Sequence, residues 1–337
     1  PYRAETLIQL SALLRRPAGR IKKGASAELI KAVVSQRSIK DAGEVAEIEK
    51  ALEVTHKMYQ AAITLTRPGL YERDVFGQIE GIALAHGFQT AFPTILTING
   101  QVLHNHYHGN KLEKGRLLVI DAGASSPLGY ASDITRTIPV GSEFSTSQRE
   151  IYQIVLNAYQ AAVAASKPGI RFKEVHLLAC RTLAEGLKEL GIMKGNLDDA
   201  VSKGAHALFF QCGLGHMMGL DVHDMEDLGE EHVGYTDDFK KSTEFGLRSL
   251  RLGKELEKGF VITIEPGIYF IPQLIDQWQS ENLHADYIDY EKLRHFRDLG
   301  GIRVENDYLI TETGSRLLGD SLPIEIEDVE ILRIAVQ

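Results

Sequence analysis

The sequence has little cysteine, little excess basic charge and no long apolar run. Two cysteines among 337 residues, Cys180 and Cys212, do not make a disulfide framework, which favours a reducing compartment and predicts a cytoplasmic location. A net charge of -9 argues against a phosphate-binding surface, so we expect no nucleic-acid partner. The apolar runs are far shorter than the ~20 residues of a membrane span, so we expect no membrane partner.

An internal repeat organises the rest of the chain. MYQAAITLTRPG (58–69) returns as AYQAAVAASKPG (158–169), and LEKGRLLVIDAG (112–123) returns as LEKGFVITIEPG (256–267). Apolar residues after each Pro-Gly pair recur at three- and four-residue spacing, which predicts a helix, and the pair itself marks a turn. Each half is therefore predicted to run helix, turn, helix, strands.

Two such halves predict one bilobed α+β domain with a pseudo-two-fold axis. The repeat spans about residues 43–315, and we assign residues 43–337 to this domain. Residues 1–42 belong to neither copy, and their stretch RRPAGRIKKGASAE resembles a linker or the remnant of an upstream N-terminal domain. The segments 235–256 and 270–300 are polar and charged and are predicted to be surface insertions.

An acidic residue ends each repeated apolar strand. Asp121 and Glu265 hold equivalent positions, and each is followed by a second strand with its own acid, Asp133 and Glu305. Four converging carboxylates would repel one another, and this repulsion would raise the pKa value of each. A bound dication would remove the repulsion. His216, in the glycine-lined GLGHMMG, adds an imidazole. An oxygen-dominated set of this kind suits Mn²⁺, and two ions would form the clamp of a two-metal hydrolase.

Five motifs in this order resemble the pita-bread metallopeptidases, most closely the Xaa-Pro aminopeptidases: IDAG, YASDITRTIPV, GLGHMMGLDVHD, TIEPGIY and GIRVENDYLIT. The resemblance covers roughly residues 40–320. It implies a pita-bread fold, in which helices cover antiparallel sheets in two pseudo-symmetric halves. It also implies a dinuclear centre whose ligands are Asp121 on one metal, Asp133 and Glu305 bridging both, and His216 and Glu265 on the other.

The resemblance also implies the roles of the remaining site residues. A hydroxide that bridges two divalent ions, Mn²⁺ or alternatively Zn²⁺ or Co²⁺, would be the nucleophile, and Glu265 would shuttle the proton. His223 would donate a hydrogen bond to the developing oxyanion. His104, with His106 as the alternative, would lie near the N-terminus of the substrate. Arg303 would contact the substrate and orient the acids.

The activity implied by the resemblance is release of an N-terminal residue from a peptide with proline in second position. Proline lacks an amide N–H and has a fixed φ, so such bonds need a dedicated site. The alternatives are a prolidase, which cuts only Xaa-Pro dipeptides, a methionine aminopeptidase, whose motifs fit less well, and a metal-free pita-bread binding module. The resemblance further implies a homodimer, and this chain as the catalytic domain of a longer protein.

Several residues also permit other interpretations. His104, His106 and His108 alternate, and on a strand they would form a separate three-histidine zinc site. Cys180 lies on an apolar helical face and is interpreted as core. Cys212 occupies the position four residues before His216 where the family usually has a histidine, so substrate contacts or the pH optimum are expected to differ from the family's.

Overall fold

The computed structural model describes residues 4–335 of the chain. Its helices are α1 Ala4–Leu14, α2 Ala18–Ile21, α3 Ala27–Ser38, α4 Ala42–Leu65, α5 Glu72–Ala85, α6 Thr146–Ala165, α7 Phe172–Glu189, α8 Leu197–Ser202, α9 Glu230–Val233, α10 Pro272–Ser280, α11 Tyr290–Leu293 and α12 Ile326–Ala335. Its strands are β1 Gln89–Thr90, β2 Ile95–Thr97, β3 Leu117–Ala122, β4 Ala124–Ser125, β5 Ile134–Pro139, β6 Val261–Ile264, β7 Gly267–Tyr269, β8 Gly301–Arg303, β9 Asn306–Ile310 and β10 Ser315–Leu317. None of the helices in the described range combines the length and apolar character that crossing a bilayer requires.

Helices α4 and α6 begin the two halves, and each starts at a capping box. The Asp41 carboxylate accepts the amide of Glu44 at 2.9 Å, and the Glu44 carboxylate accepts the amide of Asp41 at 2.9 Å. Ser145 and Gln148 repeat the exchange at 3.3 and 2.9 Å. Both boxes satisfy amides that the first turn of a helix leaves without partners. The helix starts are thus fixed by local sequence, one hundred residues or so apart.

Each Pro-Gly turn connects two helices of its half and also contacts the LEKG turn that precedes a strand. Gly69 and Gly169 have φ values of 99° and 83°, a region in which glycine avoids the strain of a side chain. Their amides donate to the carbonyls of Leu112 and Leu256, in both cases at 2.9 Å. These leucines open the two LEKG turns, so the two repeated motifs of each half contact each other. The predicted helix, turn, helix, strand order is confirmed in both halves.

Two of the sheets are three-stranded, antiparallel and similar to each other, and one lies in each half. The first has the order β2-β3-β5 and the second the order β6-β9-β10. Asp121 lies opposite Thr135 in the first, and Ile264 lies opposite Asn306 in the second. The halves meet where the amide of Glu305 donates to the carbonyl of Thr135 at 3.1 Å. The predicted α+β class is confirmed, and the strand ends that carry acids lie together at this junction.

The segment 270–300 is more deeply packed than a surface insertion. It contains α10 and α11, and it buries Phe270, Trp278, Leu293 and Phe296 in the core. The prediction that this segment is a surface insertion is wrong. Its composition is dominated by charged residues, but burial depends on a few apolar residues among them. The prediction that residues 1–42 are the remnant of an upstream domain stays a prediction; α1, α2 and α3 lie in this range.

Arg333 on α12 holds the C-terminal helix to the first half. Its buried guanidinium donates to the carbonyls of Ile63, Thr66, Pro139, Val140 and Gly141.

We expect Arg333→Met to lower the free energy of unfolding by about 3 kcal/mol, because several buried carbonyls lose their donors. Urea unfolding measures the change. The control is Arg316→Met, which removes an exposed ion pair with Glu49 and should cost less than about 1 kcal/mol; equal losses would contradict this role of Arg333.

Candidate metal centre

The junction between the two halves brings the predicted ligands into one cavity. Asp121 lies on β3 and Asp133 immediately before β5, while Glu265 directly follows β6 and Glu305 directly precedes β9. All four line a cavity of about 310 Å³, and His216 lines it with them. The five predicted metal ligands are therefore neighbours in space.

Three of the carboxylates at this cavity each have one oxygen atom without a hydrogen-bond partner in the described part of the chain. Among residues 4–335, Oδ1 of Asp121, Oδ1 of Asp133 and Oε1 of Glu305 are buried without a hydrogen-bond partner. Burial, together with the charges of neighbouring acids, raises the pKa values of Asp133 and Glu305 well above their usual range. Such a cluster is costly unless a cation neutralises it. Ligand atoms of Asp133, His216 and Glu305 lie within 4.8 Å of one another, so the donor set fits a divalent ion.

His216 is oriented so that one ring nitrogen faces the acids. Its Nδ1 lies 3.0 Å from the carbonyl oxygen of Met217, and because a carbonyl only accepts, Nδ1 carries the proton. Nε2 then presents its lone pair at 3.4 Å from Asp133 and 3.6 Å from Glu265. Burial lowers the pKa of His216 to about 3, which keeps the imidazole neutral. A neutral ring with a fixed tautomer is the form that binds metals.

Arg303 donates hydrogen bonds to three side chains around the site. Nη2 donates to Oδ2 of Asp121, Nε donates to Oγ1 of Thr135 at 3.0 Å, and Nη1 donates to the hydroxyl of Tyr269 at 2.9 Å. These contacts orient the Asp121 carboxylate and agree with the predicted role in ordering the acids. The predicted contact between Arg303 and substrate stays a prediction.

Four supporting residues were missed by the sequence analysis. Oδ2 of Asp307 accepts the amide of Asp133 at 2.9 Å, and the hydroxyl of Thr135 donates to Oε2 of Glu305 at 2.6 Å. The hydroxyl of Thr263 accepts the amide of His216 at 3.1 Å, and Tyr269 binds Arg303 as described above. Asp307 had a signal in the sequence, because it follows Glu305 by two residues and a strand places such residues on one face.

The remaining predicted histidines also line the cavity. His104 and His106 lie on a loop that precedes β3, and His223 lies in the segment between α8 and α9. His108 instead stacks on Phe76, with 4.0 Å between ring centroids. The three histidines of this loop therefore do not converge, and the alternative of a three-histidine zinc site is wrong.

Cys212 borders the same cavity where the family usually has a histidine. Its Sγ lies 3.9 Å from the hydroxyl oxygen of Tyr269. Burial raises the pKa of the thiol to about 12, so the side chain is neutral at pH 7. The charged imidazolium that a histidine can supply is absent from this position.

Glu226 lies beside His223, and its carboxylate pairs with Arg251 at 2.5 Å. Burial raises the pKa of Glu226 to about 7. A raised carboxyl pKa means that the folded chain keeps a proton that the unfolded chain has released, so stability falls as the pH rises from about 4.5 to about 7. A neighbouring cavity, which Glu226 lines together with His223, thus contains a group whose ionisation opposes folding.

Glu226→Gln is expected to remove that pH dependence. Between pH 5 and pH 8, the free energy of unfolding of the unsubstituted protein should fall by about 2 kcal/mol relative to the variant. Thermal or urea unfolding at both pH values measures the difference. Glu231→Gln, at an exposed side chain, is the control and should leave the pH profile unchanged. Parallel profiles for all three proteins would show that Glu226 ionises normally.

Comparison with known proteins identifies the family. The profile of Metallopeptidase family M24 matches residues 46–312. The Xaa-Pro aminopeptidase of Escherichia coli is 34% identical over 310 residues, which are 90% of this chain and 61% of that protein. Human Xaa-Pro dipeptidase is 36% identical over 236 residues, which are 69% of this chain and 46% of that protein.

Comparison with solved structures leads to the same family. Zn-substituted Escherichia coli aminopeptidase P in complex with product superposes with a TM-score of 0.74 at 33% identity, covering 91% of this chain and 62% of that one. The chain thus spans less than two thirds of the length of these relatives. The resemblance and the pita-bread fold inferred from the five motifs are confirmed. This chain belongs to metallopeptidase family M24.

Proposed function

We propose that this protein is an Xaa-Pro aminopeptidase, which hydrolyses the bond between an N-terminal residue and a following proline. One observation carries the proposal: four strand-end carboxylates surround one neutral imidazole in a single cavity, and three of them have oxygens without hydrogen-bond partners among the described residues. The similarity to Xaa-Pro aminopeptidases supports it. The alignment with the aminopeptidase extends over 90% of this chain, against 69% for the dipeptidase, which favours the aminopeptidase over a prolidase.

Two divalent ions are the cofactor that this proposal requires. Their proposed ligands are Asp121, Asp133, His216, Glu265 and Glu305. When bound, such ions lower the pKa of water toward about 7 and polarise the scissile carbonyl. We propose Mn²⁺ because oxygen ligands outnumber nitrogen, with Zn²⁺ and Co²⁺ as alternatives. Retention of all five ligand positions argues against a metal-free binding module, because four buried acids without a cation would destabilise the fold.

The side chains around the cavity supply proton transfer and charge stabilisation. We propose that Glu265, whose Oε1 lies 3.4 Å from the hydroxyl of Thr263, accepts a proton from the attacking water. It then passes that proton to the proline nitrogen as the C–N bond breaks. His223, which lines the cavity, donates a hydrogen bond to the oxygen that becomes negative. These steps use one water and leave a free amino acid and a peptide that begins with proline.

Apolar residues in the lining of the cavity suit the proline ring. Phe92, Leu103 and Val222 are among them, and because proline offers no N–H, an apolar surface leaves no donor unpaired. His104 or His106 would contact the N-terminal amino group of the substrate. The homodimer and the cytoplasmic location stay predictions.

A paired substrate assay tests the proposal. With Mn²⁺ present, we expect cleavage of an Xaa-Pro-Yaa tripeptide, little cleavage of the matched Xaa-Ala-Yaa tripeptide, and a loss of at least about 10³-fold in kcat/KM for Asp121→Asn, because the variant loses a charged ligand. Cleavage of the Xaa-Pro dipeptide alone would identify a prolidase. No cleavage of any proline substrate by the metal-loaded chain would contradict the proposal.

A further inference from the structure

A second cluster of metal-binding side chains lies away from the cavity of the acids. His176 and Cys180 are one turn apart on α7, and His206 lies in the 3₁₀ turn Ala205–Leu208. Their exposed fractions are 0%, 0% and 3%. One donor atom from each lies within 4.8 Å of the other two, and none of the three lines the cavity between the two halves.

The nitrogens of this cluster are short of partners. Among the described residues, both ring nitrogens of His206 and Nδ1 of His176 have no hydrogen-bond partner. The one contact within the cluster is Nε2 of His176 with Sγ of Cys180, at 3.4 Å. The Val201 carbonyl is near enough to oppose the effect of burial on the pKa of His206, but it does not meet hydrogen-bond geometry. Each buried group without a partner costs about 1–3 kcal/mol, and native proteins rarely leave several together.

We propose that His176, Cys180 and His206 bind one zinc ion. Two imidazoles and a thiolate are the donors that zinc prefers, whereas the dinuclear centre is dominated by oxygen. Zinc bonds of about 2.0–2.3 Å in a tetrahedron place donor atoms about 3.3–3.8 Å apart, which small side-chain rotations reach from the present positions. His206 also lines a separate cavity of about 400 Å³, from which the proposed ion would enter and a water would supply the fourth ligand.

The protonation states suit binding at neutral pH. Burial lowers the pKa of His176 to about 3 and that of His206 to about 4, so both rings are neutral. Burial raises the pKa of the Cys180 thiol, so the thiol proton is released to solvent when the zinc–sulfur bond forms.

The ion would join α7 to a turn that supports the dinuclear centre. The carbonyl of Phe209, just after that turn, accepts the amide of Tyr269 at 2.8 Å. The hydroxyl of Tyr269 in turn accepts a hydrogen bond from Arg303. The zinc would therefore have a structural role, fixing the far end of this chain of contacts.

Cobalt titration tests the site, with Co²⁺ as a coloured substitute for zinc. The protein carries Asp133→Asn and Glu305→Gln, so that the dinuclear centre is disabled. We expect one equivalent of Co²⁺ to bind with thiolate-to-cobalt charge-transfer absorption in the near ultraviolet, and Zn²⁺ to displace it. Added Cys180→Ser should abolish the band. Added Cys212→Ser, at the only other cysteine, should retain it.

A second variant, which keeps the thiol, distinguishes the loss of a metal ligand from misfolding. His206→Gln, shown to be folded by circular dichroism, should bind Co²⁺ at least tenfold more weakly, since it loses one ligand of three. Absence of the charge-transfer band in the parent protein, persistence of the band in Cys180→Ser, or unchanged affinity in His206→Gln would each overturn the proposal. Because the dinuclear centre is disabled throughout, the result does not depend on the proposed peptidase activity.

Discussion

Replacing Glu305 with glutamine is expected to abolish hydrolysis and at the same time to stabilise the metal-free protein. Oε2 of Glu305 accepts from Thr135, while Oε1 has no partner among the described residues. Burial and the charges of Glu265 and Asp121 raise the pKa of Glu305. Glutamine has the same shape without the charge, so it removes a metal ligand and also removes the repulsion that burial makes costly.

Two measurements on the same variant separate these effects. We expect kcat/KM for an Xaa-Pro-Yaa tripeptide to fall by at least about 10³-fold, equivalent to about 4 kcal/mol. We expect the free energy of unfolding of the chelated protein to rise by about 2 kcal/mol at pH 8. Glu312→Gln removes an exposed acid just beyond β9 and should change neither quantity. A variant that retains a tenth of the activity, or that is less stable without metal, would contradict the assignment of Glu305.

Removal of divalent ions from the unsubstituted protein is expected to have the second large effect. Chelation followed by dialysis should reduce hydrolysis to background, and Mn²⁺ should restore it. Added Mn²⁺ should also raise the free energy of unfolding, by about 2.7 kcal/mol per ion at a hundredfold excess over Kd, because the ions bind the folded state. Calorimetry with and without Mn²⁺ measures the shift.

The matched control for this experiment is the Glu305→Gln protein. It should show little or no Mn²⁺-dependent stabilisation, because one of the proposed ligands has lost its charge. The zinc site proposed on α7 does not confound the comparison, since both proteins carry it and its donors disfavour Mn²⁺. An equal shift in the two proteins would mean that Mn²⁺ binds elsewhere, and full activity after chelation would exclude a metal-dependent reaction.

The repeat explains why so much of the fold and the site could be predicted. Because LEKG and the following apolar strand occur twice, the sequence alone places Asp121 and Glu265 at equivalent strand ends. Antiparallel pairing then required Asp133 and Glu305 to lie near them. Capping boxes and Pro-Gly turns fixed the helix limits locally. Predictions from the sequence are correct where the residues that determine a structural feature lie close together along the chain.

Other features depend on contacts between distant segments, which a single sequence does not display. Thr135 binds Glu305 from the other half of the molecule. The apolar helical face around Cys180 predicts a core residue, and only the fold brings His206 to it. The choice between His104 and His106 is also left open, because both lie on a loop at the cavity. Loop conformation follows from tertiary packing more than from local propensity.

We propose that the acids at the junction of the two halves hold two divalent ions. Anomalous scattering from crystals grown with Mn²⁺, recorded on both sides of the manganese absorption edge, tests this proposal. Two peaks are expected about 3.5–4 Å apart, both in contact with the set Asp121, Asp133, His216, Glu265 and Glu305. A single peak, or no peak inside this cavity at saturating Mn²⁺, would contradict it.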